Sequence, residues 1–364
     1  MEYSPKFSIS NEIIKYLARI DAAKAIVDEF SAPVTLQNEF RIEAKARMSH
    51  YSTKIEGNRL TLKQTKELLA GKEVIAREID KREVMNYYDC LEWIIQVSKS
   101  RKSISEADIK TIHAMIEKGI LKGKLRGEYR EAQNAIFDSR TRKPVYFPPE
   151  SKDVPTFMKS FVAWLNKEKA IHPALKAAIA HYQFVVIHPF MDGNGRTARS
   201  LATLVLYQAG YDLKQFYSLE EYYAEDLQGY YRALQKNHGT HFYDYPNPDI
   251  SSWLLYFVKG VAIVFEEVKE KVLKAAKEGL TIESGTDRKL LEAIGPRERR
   301  LLHYFKKNSQ LRRKNLCTMF HIKDRAAINL IQKWINLGLI KRQGSGFRDA
   351  YYVLASDYQK LISH

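Results

Sequence analysis

His188, Asp192, Arg196 and Arg199 follow one another within twelve residues, with Gly193, Asn194 and Gly195 between the second and third. These residue types suit work on a phosphate. Two glycines separated by one residue accept backbone angles that other residues avoid, so successive N–H groups can converge on one anion. The apolar run Leu201 to Ala209 then reads as a helix. Its start adds free N–H groups and the positive end of a dipole. Arg196 and Arg199 are three apart and share a face of that helix. A first turn normally favours Asp or Glu and disfavours cations. Two arginines there point to a multiply charged anion, which guanidinium groups grip bidentately. His188 precedes Pro189, which biases it away from helical geometry. A histidine beside such a cradle is placed to take a proton from a hydroxyl nucleophile. Asp192 offers a carboxylate to magnesium, which commonly takes one or two carboxylates with phosphate oxygens and water. Taken singly, His-Pro also reads as a structural junction and Asp before Gly-Asn as a turn or cap.

The elements that must position this loop are helical. Ala177 to Ile187 is an apolar stretch ahead of the loop, so the segment reads helix, tight loop, helix. Helical spacing of apolar residues also marks Lys63 to Leu69, Ile79 to Ser98, Ile104 onward with Ser103 or Ser105 as cap, Val154 to Lys167, and Pro173 to Ile187. Pro248 to Lys277 reads as one long helix. Its stripe of Trp253, Leu254, Phe257, Val261, Val264 and Phe265 reads as core or dimer seam. Asn134 to Phe137 and Val145 to Phe147 are short β-forming runs around the polar turn 138–143, a hairpin-like flap. The fold class is mainly α, with one small hairpin here and a second near the C-terminus.

Residues 188–199, His-Pro-Phe-Met-Asp-Gly-Asn-Gly-Arg-Thr-Ala-Arg, resemble the active-site motif of Fic-domain proteins at all of its specified positions. Upstream, Gly127-Glu128-Tyr129-Arg130, Asn134-Ala135-Ile136-Phe137 and Tyr146-Phe147-Pro148-Pro149 add to the resemblance. Downstream, Tyr230-Tyr231-Arg232-Ala233-Leu234 does so too, and the likeness covers roughly residues 40 to 245. The resemblance implies an all-helical Fic fold and transfer of AMP from ATP to a protein Ser, Thr or Tyr hydroxyl. It makes His188 the general base and Asp192 the magnesium ligand. Gly193, Asn194 and Gly195 become an anion hole, with Asn194 at the α-phosphate. Arg196 and Arg199 engage the β- and γ-phosphates, and Phe190 is expected buried beneath the loop. Some relatives transfer other phosphate-containing groups. The alternative is a DNA-binding regulator whose Fic domain senses nucleotide without turnover.

Residues Tyr51-Ser52-Thr53-Lys54-Ile55-Glu56-Gly57-Asn58 resemble the inhibitory helix motif of the same family. Ser52 and Glu56 are four apart, so they share a helix face, and Gly57 reads as a terminator. Thr61-Leu62-Lys63-Gln64 reads as a capping box for the next helix. A glutamate presented to Arg199 would form a charge-assisted pair and withhold a γ-phosphate ligand. The same carboxylate would be placed to position water, so removal of AMP is a second direction for the site. The resemblance also implies that the flap residues Asn134, Ala135, Ile136 and Phe137 lend a strand edge to an extended target segment.

The remainder is bounded by composition. The chain has 364 residues, 45% of them apolar, which allows two or three domains. Its two cysteines, Cys90 and Cys317, make no metal-ligand spacing and no disulfide framework, which fits a reducing cytoplasm. Met1 to Lys6 carries no apolar signal core, and the longest apolar stretch, Trp253 to Phe265, is interrupted by Lys259. The formal net charge is +16. Residues 281–364 hold 17 Lys/Arg against 7 Asp/Glu, so less than a quarter of the chain carries most of the excess. Helices over Pro296 to Phe305, Arg312 to Phe320 and Asp324 to Leu337, then strands at Gly338 to Lys341 and Tyr351 to Leu354, resemble a winged helix-turn-helix. Its basic charge makes DNA a candidate partner. The candidate contacts are Arg312, Arg313, Lys314, Lys323, Arg325, Lys333, Arg342 and Arg348. The expected division is an N-terminal helical region with the inhibitory helix over 1–100, a catalytic core over 101–280 and the winged helix over 281–364. Family likeness adds a homodimer.

Overall fold

In the computed structural model, helices carry the architecture and their ends follow local chemistry. The described residues are 3–32, 34–100, 103–121, 123–137, 141, 143–236, 239–244, 247–277, 295–306, 308–320, 322–344 and 350–359. In chain order the helices are α1 (Asn11–Glu29), α2 (Val34–Ile55), α3 (Leu62–Leu69), α4 (Glu78–Ser98) and α5 (Glu106–Ile116). Strands β1 (Ile136–Phe137) and β2 (Pro144–Tyr146) follow. Next come α6 (Val154–Lys167), α7 (Pro173–Ile187), α8 (Asn194–Gln208), α9 (Leu219–Glu225), α10 (Leu227–Gln235) and α11 (Ser251–Lys277). The last elements are α12 (Pro296–Phe305), α13 (Arg313–Phe320), α14 (Asp324–Asn336), β3 (Ile340–Gln343), β4 (Tyr351–Leu354) and α15 (Ser356–Gln359). The mainly helical class expected from the sequence is what the structure has.

The chain divides into two units. The first gathers residues 1–29, 44–62 and 76–271. Its centre is α7, whose side chains are mostly buried, packed against α8 across the tight loop. Pro173 opens α7, where a missing N–H costs nothing, and His172 Nδ1 accepts the Ala174 N–H at 3.1 Å. Ser105 caps α5 in a capping box with Asp108, at 3.1 Å from the Asp108 N–H. Around α7 and α8 pack Val84, Leu91 and Ile94 of α4, Ile109 and Ile112 of α5, and Phe161 of α6, all at most 1% exposed. Trp253, Phe257, Val261 and Phe265 of α11 are buried as well, so that stripe is core within this unit. The Trp253 indole donates to Ala178 O at 2.7 Å, which satisfies its one polar atom. Burial of each such side chain contributes about 2–3 kcal/mol before entropy is counted.

The second unit gathers residues 30–43, 63–75 and 272–364. Leu301, Leu316, Leu330, Ile331, Trp334 and Ile340 form its core, with Val34 packed against it. Glu298, buried, accepts from the Trp334 indole at 2.8 Å and from Lys333 at 2.9 Å. Strands β3 and β4 pair antiparallel, with Ile340 opposite Leu354 and Gln343 opposite Tyr351. The expected first strand began at Gly338; it begins two residues later, because Gly338 takes φ +68° to end the preceding helix. Residues 278–294, around the expected boundary between 280 and 281, and Arg348 lie outside the described residues.

Candidate active site

The phosphate-type loop joins α7 to α8, and each end of it is fixed. His188 ends α7 in the left-handed region, φ 48° and ψ 58°, which histidine enters more often than most side chains do. Its Nδ1 lies 3.1 Å from Val185 O. A carbonyl can only accept, so Nδ1 carries the hydrogen and Nε2 keeps its lone pair. Burial lowers the imidazole pKa to about 4, with the Val185 bond and Glu56 opposing weakly. The ring is therefore a neutral base at physiological pH.

Four further contacts hold the histidine's loop. Arg130 Nε donates to His188 O at 3.0 Å, and Arg130 N donates to Pro189 O at 2.9 Å. The same guanidinium donates to Pro149 O and Ala132 O. Phe190 is fully buried, as expected, and stacks on His113 with centroids 3.7 Å apart and planes 4° off parallel. His113 Nδ1 accepts the Gly127 N–H at 2.9 Å, which leaves Nε2–H to donate to Asp192 O at 3.1 Å. Sequence reasoning passed over His113, a lone histidine on an amphipathic helix.

The glycine loop opens α8. Gly193 sits at the N-cap with φ +72°, a conformation in which a side chain would be strained. Thr197 N makes the first helical bond, to Gly193 O at 3.0 Å. The N–H groups of Asn194, Gly195 and Arg196 precede it and have no helical partner. The Asn194 side chain is committed: Oδ1 accepts the Phe190 N–H at 3.0 Å and Nδ2 donates to Phe190 O at 2.8 Å. An anion would thus meet Asn194 through its main chain, with the amide shaping the loop. Asp192 is exposed at the rim, and its Oδ1 accepts the Gly193 N–H at 2.6 Å. Among the described residues no three His, Cys, Asp or Glu side chains converge as a metal cluster. A lone rim carboxylate beside a phosphate cradle fits magnesium that completes its shell with phosphate oxygens and water.

Both arginines are buried and both face carboxylates. Arg199 Nε donates to Ser52 Oγ at 2.9 Å, and Nη2 donates to Ser52 O at 2.9 Å and Glu56 Oε1 at 2.8 Å. Desolvation pushes the Glu56 carboxyl up, but Arg199 and then Arg196 outweigh it and hold the group below the usual carboxylate range. Glu56 stands one residue past α2, where Gly57 turns the chain at φ +94°. A Cβ on Gly195 would collide with the Glu56 carboxylate, so the acid lies directly over the anion loop. Arg196 Nη1 reaches Glu83 Oε1 at 3.3 Å and Nη2 lies 2.8 Å from Glu117 Oε1. Glu117 is fully buried against Gly193, and burial raises its pKa to about 7 although Arg196 opposes this. Neither Glu83 nor Glu117 stood out in the sequence.

The flap residues sit beside the loop. Ile136 pairs with Tyr146 and Phe137 with Pro144, and Phe137 is 59% exposed. Asn134 Nδ2 donates to Phe190 O at 3.1 Å, which ties the flap's base to the loop. The tip, 138–140 and 142, lies outside the described residues. In the second unit Arg312, Arg313, Lys314, Lys323, Arg325, Lys333 and Arg342 are all exposed, with Arg313 3.5 Å from Asp324 and Lys333 paired to Glu298.

Residues 103–206 match the family described as Fic/DOC. A relative from Drosophila willistoni named "Protein adenylyltransferase Fic" is 32% identical over 201 residues, 54% of this chain and 38% of its own length. The chain spans less than half the length of the curated relatives it matches. A Fic family protein from Desulfovibrio desulfuricans superposes over 97% of this chain and 99% of its own, with TM-score 0.62 and 22% identity. A Fic domain-containing signalling protein from Bacteroides thetaiotaomicron covers 75% of this chain and 100% of its own, with TM-score 0.60 and 27% identity.

Proposed function

We propose that this chain, whose residues 103–206 belong to the Fic/DOC family, is an autoinhibited protein adenylyltransferase that moves AMP from ATP to a Ser, Thr or Tyr hydroxyl of a target protein. One observation carries the reading: a neutral His188 with a free Nε2 lone pair stands at a glycine loop followed by two buried arginines. In the reaction Nε2 takes the proton of the target hydroxyl, whose oxygen attacks the α-phosphorus. The bond to the oxygen bridging the α- and β-phosphates breaks and pyrophosphate leaves. Main-chain N–H groups of Asn194 and Gly195 hold the α-phosphate, and Arg196 and Arg199 hold the outer phosphates. Magnesium held by Asp192 would supply charge neutralisation on the phosphates. Glu56 on Arg199 is the inhibitory contact, with Ser52 completing the grip. The same carboxylate is placed to orient water, which supports AMP removal as a second direction. Asn134, Ala135, Ile136 and Phe137 take the target by strand addition.

In this division of labour residues 1–100 supply the inhibitory segment, 101–280 the catalytic core and 281–364 a winged helix that directs the enzyme. DNA is the second reading for that last region. It is supported by the exposed face of α14, where Arg325, Asn329 and Gln332 offer side chains that suit base edges. Arg312, Arg313, Lys323 and Arg342 add phosphate-binding charge. A homodimer and a cytoplasmic setting belong to the same proposal; no described helix is long and apolar enough to cross a membrane.

The test is intact mass after incubation with ATP and magnesium for wild type, Glu56→Gly and His188→Ala. AMP-sized increments on Glu56→Gly alone are the expected result. Increments on His188→Ala at the Glu56→Gly rate would remove His188 from the role of base.

A further inference from the structure

Glu56 is followed by Gly57 and then by Asn58, which is 7% exposed. Its main chain is pinned by a bond from Asn58 N to Thr53 O at 3.1 Å. Its Oδ1 accepts the Leu60 N–H at 3.0 Å. Its Nδ2 donates to Asp80 O at 2.9 Å and to Glu83 Oε2 at 2.7 Å. The other oxygen of that carboxylate, Glu83 Oε1, faces Arg196 Nη1 at 3.3 Å. A continuous chain of polar contacts thus runs from the inhibitory segment to the first loop arginine. Arg196 Nη2 also meets Glu117, whose two oxygens accept no aligned hydrogen bond among the described residues. Glu117 lies against Gly193 and Glu83 belongs to α4, so each terminal nitrogen of the guanidinium faces a carboxylate.

A guanidinium paired with carboxylates must exchange them to grip a phosphate, and the exchange lowers the net gain. Glu56 imposes that cost on Arg199. We infer that Asn58 and Glu83 are positioning residues that impose it on Arg196, so that the three consecutive residues Glu56, Gly57 and Asn58 govern both phosphate arginines. Asn58 holds one oxygen of Glu83 and thereby aims the other at the guanidinium. Glu83→Gln keeps an oxygen for Asn58 and a similar shape but removes the charge that competes with phosphate. This inference rests on the nucleotide site proposed above.

The test compares the affinities of ATP and AMP, with magnesium, for wild type, Asn58→Ala, Glu83→Gln, Glu56→Gly and the Glu56→Gly/Glu83→Gln pair. AMP lacks the outer phosphates, so it reports general damage to the fold. Glu83→Gln is expected to tighten ATP about fivefold and to leave AMP unchanged. Asn58→Ala should move the ATP-to-AMP ratio in the same direction. In the double variant ATP should bind more tightly than in either single variant; the factors need not multiply, because Glu56 also acts on Arg196. An unchanged ATP-to-AMP ratio in Glu83→Gln, or ATP weakened relative to AMP, would overturn the inference. If none of the five proteins transfers AMP, the adenylyltransferase reading fails, while the affinity ratios still decide whether Glu83 restrains Arg196.

Discussion

At the scale of single residues the site is a set of paired opposites. Burial holds the His188 pKa near 4, so the base is free above that value and is lost as pH falls through it. In the Glu56→Gly variant, kcat/KM should therefore stay flat from about pH 6 to 8 and fall about tenfold per unit only below about pH 4. A break near the ordinary histidine value would show that the ring is wetter than its surroundings imply. Glu117 works the other way. Its folded pKa is raised to about 7, so its stabilising neutral form is complete below the unfolded value and lost as pH rises through 7. Wild type should lose thermal stability relative to Glu117→Gln between pH 5 and 8, by about 2 °C or more in Tm. Parallel melting curves across that range would mean that Arg196 already neutralises the carboxylate. His188, Asp192, Arg196 and Arg199 were legible because twelve contiguous residues hold them. His113 and Glu83 were not, because the residues of the glycine loop and α8 that they touch, Asp192 and Arg196, lie 79 and 113 positions away. Nothing in a helix's own pattern says which buried acid will face which arginine.

At the scale of elements, helix ends were the most readable feature. Pro155, Pro173 and Pro296 stand at N1 or N2 of α6, α7 and α12, and Ser105 caps α5 with its box partner. The spans Val154–Lys167 and Pro173–Ile187 read from spacing are those of α6 and α7. How elements are fastened was less readable. Arg130 looked like part of a family signature, yet its job in the fold is to bolt the His188 carbonyl to the flap's base at Pro149 and Ala132. Arg130→Ala should lower kcat about 100-fold, with a smaller change in ATP affinity. An unchanged kcat would mean that α7 alone places the histidine. Residues 30–43 and 63–75 group with the C-terminal helices. Amphipathic periodicity shows that a face is buried and is silent about what buries it.

At the scale of the whole molecule, charge and composition set the expectations. Ten of the sixteen net positive charges fall in residues 281–364, and the exposed face of α14 presents Arg325, Asn329 and Gln332. If that face reads DNA, binding of a labelled duplex should weaken steeply with salt. Arg325→Ala should then cost about 1–3 kcal/mol on a preferred sequence. No shift of any duplex at low salt would remove DNA and leave the region as a protein-docking module. Specific activity that rises or falls with enzyme concentration would support a homodimer that masks or exposes Glu56; a flat profile would argue against it.

The left-handed backbone at His188 has a practical consequence for a search for the client that the proposed activity requires. The imidazole is aimed by its main chain at φ 48°, and alanine resists that geometry by about 1–2 kcal/mol. Asparagine visits it more readily. A His188→Asn protein should keep the loop's shape while lacking a base. Combined with Glu56→Gly, it becomes bait: a nucleotide-loaded, chemically silent surface on which a passing client can linger long enough to be crosslinked and identified.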